Sequence, residues 1–339
     1  MAKKYNVCVL GATGMVGREM TKVLEQRNFP VNRFLPLASE RTAGQKVSFQ
    51  GKEYTVEVAK PESYEGIEIG LFSAGAKVSK VMAPEAVKRG CVVIDNTSHF
   101  RMDPNVPLIV PEVNAHAIKK HKGIIANPNC STAQMVLPLK PIYDAAGIER
   151  IVVSTYQSTS GWGKEAVAEM FDQTKALLAD PKSKVEAKYI FKQIAFNVVP
   201  QIDSFLENAY TKEEMKMVNE TRRIFEDDKI QITATCVRVP VAIGHSEAVN
   251  IKTKKKISVD QVRKLINDFP TCKVMDDPSK GEYPTPIDCA GIDDTLVGRI
   301  REDISQKNGI DMWIVSDNLR RGAALNAVLI AERVIKRQL

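Results

Sequence analysis

One cysteine, Cys130, stands in the stretch ANPNCSTAQ between a proline-containing turn and the predicted start of a helix. The unpaired N–H groups and the positive dipole end of a helix start favour a thiolate over a thiol. A thiolate is a nucleophile for carbonyl and acyl carbon. The alternative is a small buried hydrophobic residue, which describes most free cysteines. The local sequence leaves both interpretations open.

A second pair of residues with chemical potential is Arg238 and His245, seven positions apart in CVRVPVAIGHSEAV. His245 follows Gly244 at the end of a predicted β run, and an imidazole with a pKa of about 6.5 can take up and return a proton. An ordinary strand arginine and a hydrogen-bonded loop histidine explain the same pattern. On these residues alone the plainer interpretation is favoured.

Three glycines, Gly11, Gly14 and Gly17, lie in VLGATGMVGRE between the first predicted strand and the first predicted helix. This spacing is a variant of the dinucleotide fingerprint, in which glycines permit a tight turn, close approach to a pyrophosphate and close packing of helix on sheet. The position after a strand and before an amphipathic helix therefore predicts a dinucleotide site.

The stretch FLPLASERTAGQ after the second predicted strand concerns the choice of dinucleotide. An NAD-binding unit usually carries an acidic residue here for the ribose 2′-hydroxyl, whereas this chain offers Ser39, Arg41 and Thr42. A cation flanked by hydroxyls suits a 2′-phosphate. Glu40 is the exception unless its side chain points away. The sequence favours NADP over NAD.

The bulk composition is that of a globular protein, and the length predicts two domains. The 339 residues are 44% hydrophobic and 26% charged, with a formal charge of +7 spread along the chain. No nucleic-acid-binding motif accompanies the basic residues, so we expect small anionic partners and no nucleic acid. Six cysteines without a C-x-x-C pair argue against a metal site and a disulfide framework.

Neither a signal-peptide pattern nor an apolar run of 18 residues occurs in the chain. We therefore expect a cytoplasmic protein that contacts no membrane.

The first third of the chain alternates short strands with helices. The predicted strands are YNVCVLG, IEIGLFSAG, GCVVIDNTS, PLIVPEV and GIIANPN. Val16, Met20, Val23 and Leu24 recur at helical spacing after the first strand, and further helices are predicted around 78–88 and 114–121. Such alternation predicts an α/β fold with a Rossmann-like, doubly wound parallel sheet.

After Cys130 the pattern changes to long β-rich runs, which predict an α+β domain with a broad mixed sheet that could form a dimer surface. Pro138 lies inside the predicted helix that follows Cys130, so we expect that helix to bend there. The terminal segment is helical, with an apolar stripe predicted to pack on the first domain. We predict an NADP-binding domain of residues 1–129 plus 319–339 and a catalytic and dimerisation domain of residues 130–318.

Seven motifs carry a resemblance to a known family. They are GATGMVG, DNTSHFRMD, ANPNCSTAQ, STYQSTSGWG, YTKEEMK, RVPVAIGHSEA and DNLRRGAA. In these motifs, in their order and over essentially its whole length, the chain resembles aspartate-semialdehyde dehydrogenase, and its compact length is similar to the bacterial branch.

The resemblance implies a role for each matching residue. Cys130 is implied to be the acyl-thioester nucleophile, His245 the general acid–base, and Gln157 the residue that orients the substrate. Substrate binding is implied for Arg101, Asn129 and Lys216 (phosphate), Arg238 (α-carboxylate) and Glu213 (amino group). Contact with NADP is implied for Gly11, Thr13, Gly14, Met15, Val16, Gly17, Ser39, Arg41, Thr42, Ser73, Ser160, Gly161 and Asn318.

The implied reaction is the reversible, NADPH-dependent reductive dephosphorylation of L-4-aspartyl phosphate to L-aspartate 4-semialdehyde, in the biosynthesis of lysine and diaminopimelate, methionine and threonine. A homodimer or a dimer of dimers is implied. One alternative is an N-acetyl-γ-glutamyl-phosphate reductase, against which Glu213 argues, because an N-acetyl amide has no ammonium group. The others are an enzyme like glyceraldehyde-3-phosphate dehydrogenase and a non-catalytic NADP-binding sensor. The cluster around Arg41 argues against the former, and the joint presence of Cys130 and His245 against the latter.

Overall fold

The computed structural model describes residues 3–337, which divide into two compact units. The first unit comprises the described residues up to Asn129 together with those from Gly322 onward. The second unit is Cys130–Arg321. The first boundary between them is the peptide bond between Asn129 and Cys130.

The first unit is built on a parallel sheet. Its strands are β1 (Tyr5–Leu10), β2 (Val31–Ala38), β3 (Lys46–Phe49), β4 (Lys52–Thr55), β5 (Glu57–Val58), β6 (Ile69–Phe72), β7 (Val92–Asp95) and β8 (Ile124–Ala126). Six of them pair in parallel in the order β5-β2-β1-β6-β7-β8, while β3 and β4 form a separate antiparallel hairpin. All of β6 and nearly all of β1 are buried, as is typical of strands covered on both faces. The predicted doubly wound sheet is confirmed.

Three helices follow these strands: α1 (Met15–Gln26), α2 (Ala76–Lys88) and α3 (Pro111–Asn114). The helix predicted from the spacing of Val16 to Leu24 and the helix predicted around 78–88 are confirmed, whereas the predicted helix 114–121 is a 3-10 turn over Ala115–Lys120. The predicted strand PLIVPEV is wrong, because only Leu108 forms a bridge, to Ala126, and α3 begins at Pro111. Pro107 and Pro111 in that stretch have no N–H to donate to a ladder.

The second unit contains the predicted broad mixed sheet. Its strands are β9 (Ile148–Gln157), β10 (Gln231–Arg238), β11 (His245–Thr253), β12 (Cys272–Val274), β13 (Thr295–Glu302) and β14 (Gly309–Ser316). They are ordered β10-β9-β11-β14-β13-β12, with β9–β10 and β12–β13 parallel and the other pairs antiparallel. This order puts the carboxyl ends of β9 and β10 beside the start of β11.

Five helices belong to the second unit: α4 (Cys130–Ala146), α5 (Lys164–Ala179), α6 (Lys212–Phe225), α7 (Val259–Asp268) and α8 (Pro286–Cys289). Helix α4 begins at the cysteine, as predicted, and runs through Pro138 and Pro141 without interruption. It packs against α6, α7 and β11. Helix α7 is capped by Ser258, whose side chain accepts from the Gln261 N–H.

The last helix, α9 (Leu325–Arg337), packs on the first unit and follows a π-helical turn at Arg320–Ala324. The predicted stripe of Ala324, Val328, Ala331 and Ile335 lies in the same buried cluster as residues of β1 and β6, which confirms the prediction. Within residues 3–337, the helices are all too short or too polar to cross a bilayer.

Candidate active site

A cavity of about 450 Å³ opens at the carboxyl ends of β1, β2 and β6 in the first unit. The chain leaves β1 toward β2 and later returns to β6 on the other side of β1, so this edge is the switch point where doubly wound sheets bind ligands. Of the predicted cofactor residues, the cavity is lined by Gly11, Thr13, Gly14, Ser39, Arg41, Thr42 and Ser73. The predicted residues Met15, Val16 and Gly17 begin α1 and are not part of this lining.

The glycines of the first turn have different structural roles. Gly11 has φ +88°, and a Cβ there would lie 2.6 Å from the main-chain O of Ser73. A Cβ on Gly17 would collide with the main-chain O of Gly11, so only glycine lets α1 pack this close to the end of β1. At Gly14 a Cβ would be 3.4 Å from its nearest protein atom, an ordinary contact. Gly11 and Gly17 are therefore required by the turn, whereas Gly14 leaves this part of the cavity lining without a side chain.

The far end of the cavity carries the residues predicted to select the dinucleotide. The hydroxyl of Thr13 donates to that of Thr42 at 3.1 Å, which ties the glycine turn to the loop after β2. Ser39 and Arg41 are exposed. Glu40 lines the same cavity, so the condition that it point away is not met. One cation and one anion face this part of the cavity.

Arg238, the last residue of β10, links several of the predicted catalytic residues in the second unit. It is buried, and its Nη1 donates to the main-chain O of Ser158 at 2.7 Å. Burial lowers the pKa of Arg238 below its usual value, and the negative charges of Glu213 and Cys130 oppose that shift. The half-buried Cys130 at the start of α4 thus lies within electrostatic reach of a buried guanidinium.

His245 is the first residue of β11, which corrects the prediction that it ends a β run. The run is interrupted because Pro240 has no N–H and Gly244 adopts φ +95°. The ring is buried; its Nδ1 accepts the main-chain N–H of Ser158 at 3.1 Å, and its Nε2 has no hydrogen-bond partner among the described residues. Burial, and next the charge of Arg238, lower the pKa of His245 to about 3. The expected pKa near 6.5 is therefore wrong for this structure.

Gly161 borders the Nε2 edge of that imidazole. A Cβ on Gly161 would lie 3.2 Å from Nε2 of His245 and 2.9 Å from Nη1 of Arg238. Both distances are shorter than ordinary carbon–nitrogen contacts. Glycine at this position therefore keeps the space beside Nε2 free.

A chain of hydrogen bonds and ion pairs leads away from Gln157, the last residue of β9. Nε2 of Gln157 donates to Oε1 of Glu213 at 3.0 Å, and the Thr155 hydroxyl donates to Oε1 of Gln157 at 2.9 Å. Lys216 lies 3.1 Å from Oε2 of Glu213 and 3.1 Å from Oδ2 of Asp203. Glu213 and Lys216 share a face of α6, as predicted, and the chain fixes the orientation of the Gln157 amide.

Ser158 is the residue that sequence reasoning missed. Its main chain bonds to both His245 and Arg238, and its hydroxyl donates to Oδ1 of Asn318 at 3.0 Å. Asn318 also accepts the Gly244 N–H at 2.9 Å and donates to the Ser160 hydroxyl at 3.0 Å. Ser160 and Asn318, predicted to contact NADP, thus brace the imidazole. The only signal for Ser158 was its place at the end of β9.

The two remaining predicted residues, Arg101 and Asn129, belong to the first unit, and both are buried. Arg101 follows the end of β7, and its Nη2 donates to the main-chain O of Asn96 at 2.9 Å. Asn129 is joined by its peptide bond to Cys130.

Comparison with known proteins identifies the family. Residues 6–121 match the family model described as semialdehyde dehydrogenase, NAD binding domain, and residues 139–321 match semialdehyde dehydrogenase, dimerisation domain. The aspartate-semialdehyde dehydrogenase of Aquifex aeolicus is 53% identical over 335 residues, which cover 98% of each chain. The chain belongs to the aspartate-semialdehyde dehydrogenase family.

Solved structures of aspartate-semialdehyde dehydrogenases share the fold. The crystal structure of aspartate semialdehyde dehydrogenase II from Vibrio cholerae complexed with ASA has a TM-score of 0.94 and 49% identity and covers 99% of each chain. The enzyme with NADP from Candida albicans has a TM-score of 0.73 and 25% identity, covering 98% of this chain and 99% of the other.

Membership of the aspartate-semialdehyde dehydrogenase family confirms the resemblance stated from the seven motifs. It makes the chain an oxidoreductase of amino-acid biosynthesis with a nicotinamide-dinucleotide-binding domain. It also sets aside the reductase, glyceraldehyde-3-phosphate dehydrogenase-like and non-catalytic alternatives.

Proposed function

We propose that the chain converts L-aspartate 4-semialdehyde, NADP and phosphate reversibly into L-4-aspartyl phosphate and NADPH through a thioester on Cys130. In the reductive direction this reaction serves the biosynthesis of lysine and diaminopimelate, methionine and threonine. The observation that carries the proposal is a cluster in the second unit. The cysteine at the helix start interacts electrostatically with the buried Arg238. Arg238 and His245 lie close together, since a Cβ added at Gly161 would lie 2.9 Å from Nη1 of Arg238 and 3.2 Å from Nε2 of His245.

The nucleophile is the thiolate of Cys130. The start of α4 carries the positive end of the helix dipole, and Arg238 adds a positive charge, so both favour the anion. Attack on the aldehyde carbon forms the carbon–sulfur bond and leaves the former carbonyl oxygen as an alkoxide. Main-chain N–H groups at the helix start can stabilise that charge.

His245 acts as a hydrogen-bond donor at Nε2. Since Nδ1 accepts the Ser158 N–H, the neutral ring carries its proton on Nε2. That N–H donates a hydrogen bond to the substrate oxygen as the thiolate adds, and the depressed pKa keeps the ring neutral. The same N–H stabilises the oxygen when the carbon–sulfur bond breaks in the reverse direction. This role replaces the expected deprotonation of Cys130 by the imidazole.

Substrate recognition follows from the charges around this pair. We assign the α-carboxylate to Arg238 and the α-ammonium to Glu213, whose charge also acts on Arg238. Gln157, held by Thr155 and Glu213, presents a neutral amide that orients the substrate without titrating. A free ammonium matches Glu213, whereas an N-acetylated substrate does not.

Phosphate binding is assigned to Arg101, Asn129 and Lys216 by the family resemblance. Arg101 has the planar fork that matches phosphate oxygens. Lys216 is already held by two carboxylates, so its ammonium group has a fixed position.

We assign NADP to the cavity of the first unit. The bare turn of Gly11 and Gly14 fits a pyrophosphate, and Arg41 with Ser39 and Thr42 fits a 2′-phosphate despite Glu40. The NADP-bound Candida albicans structure supports the same cofactor. When bound, the nicotinamide takes up hydride in the oxidative direction and returns it in the reductive direction. Met15, Val16, Gly17, Ser73, Ser160, Gly161 and Asn318 remain cofactor assignments by resemblance.

The two units then correspond to an NADP-binding domain and a catalytic and dimerisation domain, the second forming a homodimer through its mixed sheet. Tyr156 of β9 and Trp313 of β14 contact each other with ring centroids 5.3 Å apart, and Tyr156 is 37% exposed. This aromatic pair beside β11 is an apolar surface of the kind that homodimers bury. The description of the matched domain as a dimerisation domain supports the assignment.

NADP reduction with L-aspartate 4-semialdehyde tests the proposal. We expect activity only when phosphate is present, and none from Cys130→Ser, because an alcohol is far less nucleophilic than a thiolate. N-acetylglutamate semialdehyde serves as the competing substrate. Activity confined to that compound would refute the substrate assignment, and full activity of Cys130→Ser would refute the thioester.

A further inference from the structure

Two fully buried polar side chains lie close to the catalytic cluster but have no role in it, Gln134 on α4 and Glu247 on β11. The Gln134 amide donates from Nε2 to the main-chain O of His245 at 3.4 Å. Its Oε1 and both carboxyl oxygens of Glu247 lack a hydrogen-bond partner within the part of the chain that the structure describes. Buried oxygens without partners are costly, so this group of three needs an explanation.

The surroundings of Glu247 are apolar or neutral. Its register partners are Thr155 on β9 and Ile314 on β14, and the Gln134 amide faces it from α4. The titratable group that interacts with it from β10 is Cys236, another buried and uncharged side chain. An ionised Glu247 would be a buried charge in these surroundings, which proteins avoid unless a partner compensates it.

We propose that Glu247 is a neutral carboxylic acid whose O–H donates to Oε1 of Gln134, and that Gln134 thereby fixes the start of α4 against the start of β11. One proton joins two of the three oxygens, the amide oxygen of Gln134 and one carboxyl oxygen of Glu247, and removes the buried charge. The hydrogen-bond chain then runs from Glu247 through Gln134 to the main chain of His245. The proposal rests on the proposed function only for the roles of Cys130 and His245.

The geometry makes Gln134 a positioning residue for both catalytic groups. Gln134 lies four residues after Cys130 on α4, so the two side chains project from the same face of the helix. The ring of His245 is held by Ser158, while its main-chain O is held by Gln134. A helix anchored to a strand start in this way keeps the sulfur and Nε2 in one arrangement. Burial also raises the pKa of Glu247 well above its usual value, while the neighbouring Gln134 amide opposes the shift.

The pH dependence of stability tests the protonation state without any substrate. An acid whose pKa is higher in the folded than in the unfolded state stays protonated on folding and releases its proton on unfolding. Above about pH 5, the unfolding equilibrium constant of the wild type should therefore rise about tenfold per pH unit relative to that of Glu247→Gln. Glu302→Gln, which removes an exposed carboxyl at the end of β13, controls for the loss of a charge. A wild-type to Glu247→Gln ratio that does not change with pH would overturn the proposal.

Kinetics test the positioning role. Glu247→Gln retains a donor for Oε1 of Gln134 and should keep kcat within about twofold, whereas Glu247→Met has no donor and should lower kcat about tenfold with KM unchanged. The rate at which iodoacetamide alkylates Cys130 should also be close to the wild-type rate in Glu247→Gln and lower in Glu247→Met. This measurement needs no substrate. Equal losses of kcat in both variants, or none in Glu247→Met, would overturn the positioning role. If the wild type fails to oxidise L-aspartate 4-semialdehyde, the proposed function fails, while the stability and alkylation measurements still decide the state of Glu247.

Discussion

The main-chain N–H of Ser158 donates to Nδ1 of His245 at 3.1 Å, and this bond determines what the imidazole can do. A peptide N–H can only donate, so Nδ1 is an acceptor and the neutral ring bears its proton on Nε2. The imidazole is therefore set up to donate a hydrogen bond from Nε2 to the substrate oxygen. The charge of Arg238 and the start of α4 are left to stabilise the thiolate.

We expect the His245 ring to stay neutral, with its proton on Nε2, throughout the range from about pH 5 to about pH 8. The physical reason is burial, which lowers its pKa to about 3 from the usual 6.5. Since the folded pKa lies below the unfolded one, His245 costs stability as pH falls through the unfolded value toward the folded one. Imidazole ¹⁵N chemical shifts of the free enzyme measure this state, and a protonation midpoint near neutral pH would contradict it.

Gly161→Ala should lower kcat about 100-fold with little change in thermal stability, because its Cβ would crowd Nε2 of His245 and Nη1 of Arg238. Steady-state kinetics and a melting curve check both parts. Trp162→Phe is the matched control, since that half-exposed ring in the same turn contacts Phe191. A fully active Gly161→Ala would show that the space beside Nε2 is not used.

Glu213→Gln should raise KM for L-aspartate 4-semialdehyde about 10- to 100-fold, because an amide replaces the charge that meets the ammonium group. The amide keeps the volume and can still accept from Gln157. The same substitution should raise kcat/KM for N-acetylglutamate semialdehyde relative to kcat/KM for L-aspartate 4-semialdehyde. Unchanged discrimination between the two aldehydes would remove Glu213 from substrate recognition.

Two substitutions at the loop after β2 test the cofactor assignment in opposite directions. Arg41→Ala should weaken NADP binding about 10- to 100-fold and NAD binding much less, since NAD has no 2′-phosphate. Glu40→Gln should strengthen NADP binding, because this carboxylate lines the same cavity and repels a phosphate. Dissociation constants of both dinucleotides provide the measurement. Equal losses for NADP and NAD in Arg41→Ala would exclude a 2′-phosphate contact.

The helix and turn chemistry of this fold was predictable from local residues. The sequence around Cys130 signals a helix start because a proline-containing turn at Pro128 is followed by residues of helical spacing. Ser258 was predictable as a cap for the same kind of reason. The strand predicted at PLIVPEV does not form, although the stretch is apolar, because its two prolines cannot donate ladder hydrogen bonds.

The site was harder to predict where its function comes from tertiary contacts. Ser158 acts mainly through its main-chain N–H and O, and the residue type at a position does not reveal which bonds its main chain makes. The low pKa of His245 depends on complete burial and on Arg238, two features that sequence spacing does not report. Glu40 was expected to be compatible with NADP only if it pointed away, and side-chain direction in a loop is not encoded by periodicity.

The central claim is that Cys130 carries the acyl group, and mass spectrometry of the intact enzyme tests it most directly. Enzyme incubated with L-aspartate 4-semialdehyde and NADP in the absence of phosphate should gain one aspartyl group, located on Cys130. Addition of phosphate should remove that group and release aspartyl phosphate. Phosphate-dependent turnover without any adduct on Cys130, or an adduct on another residue, would contradict the account.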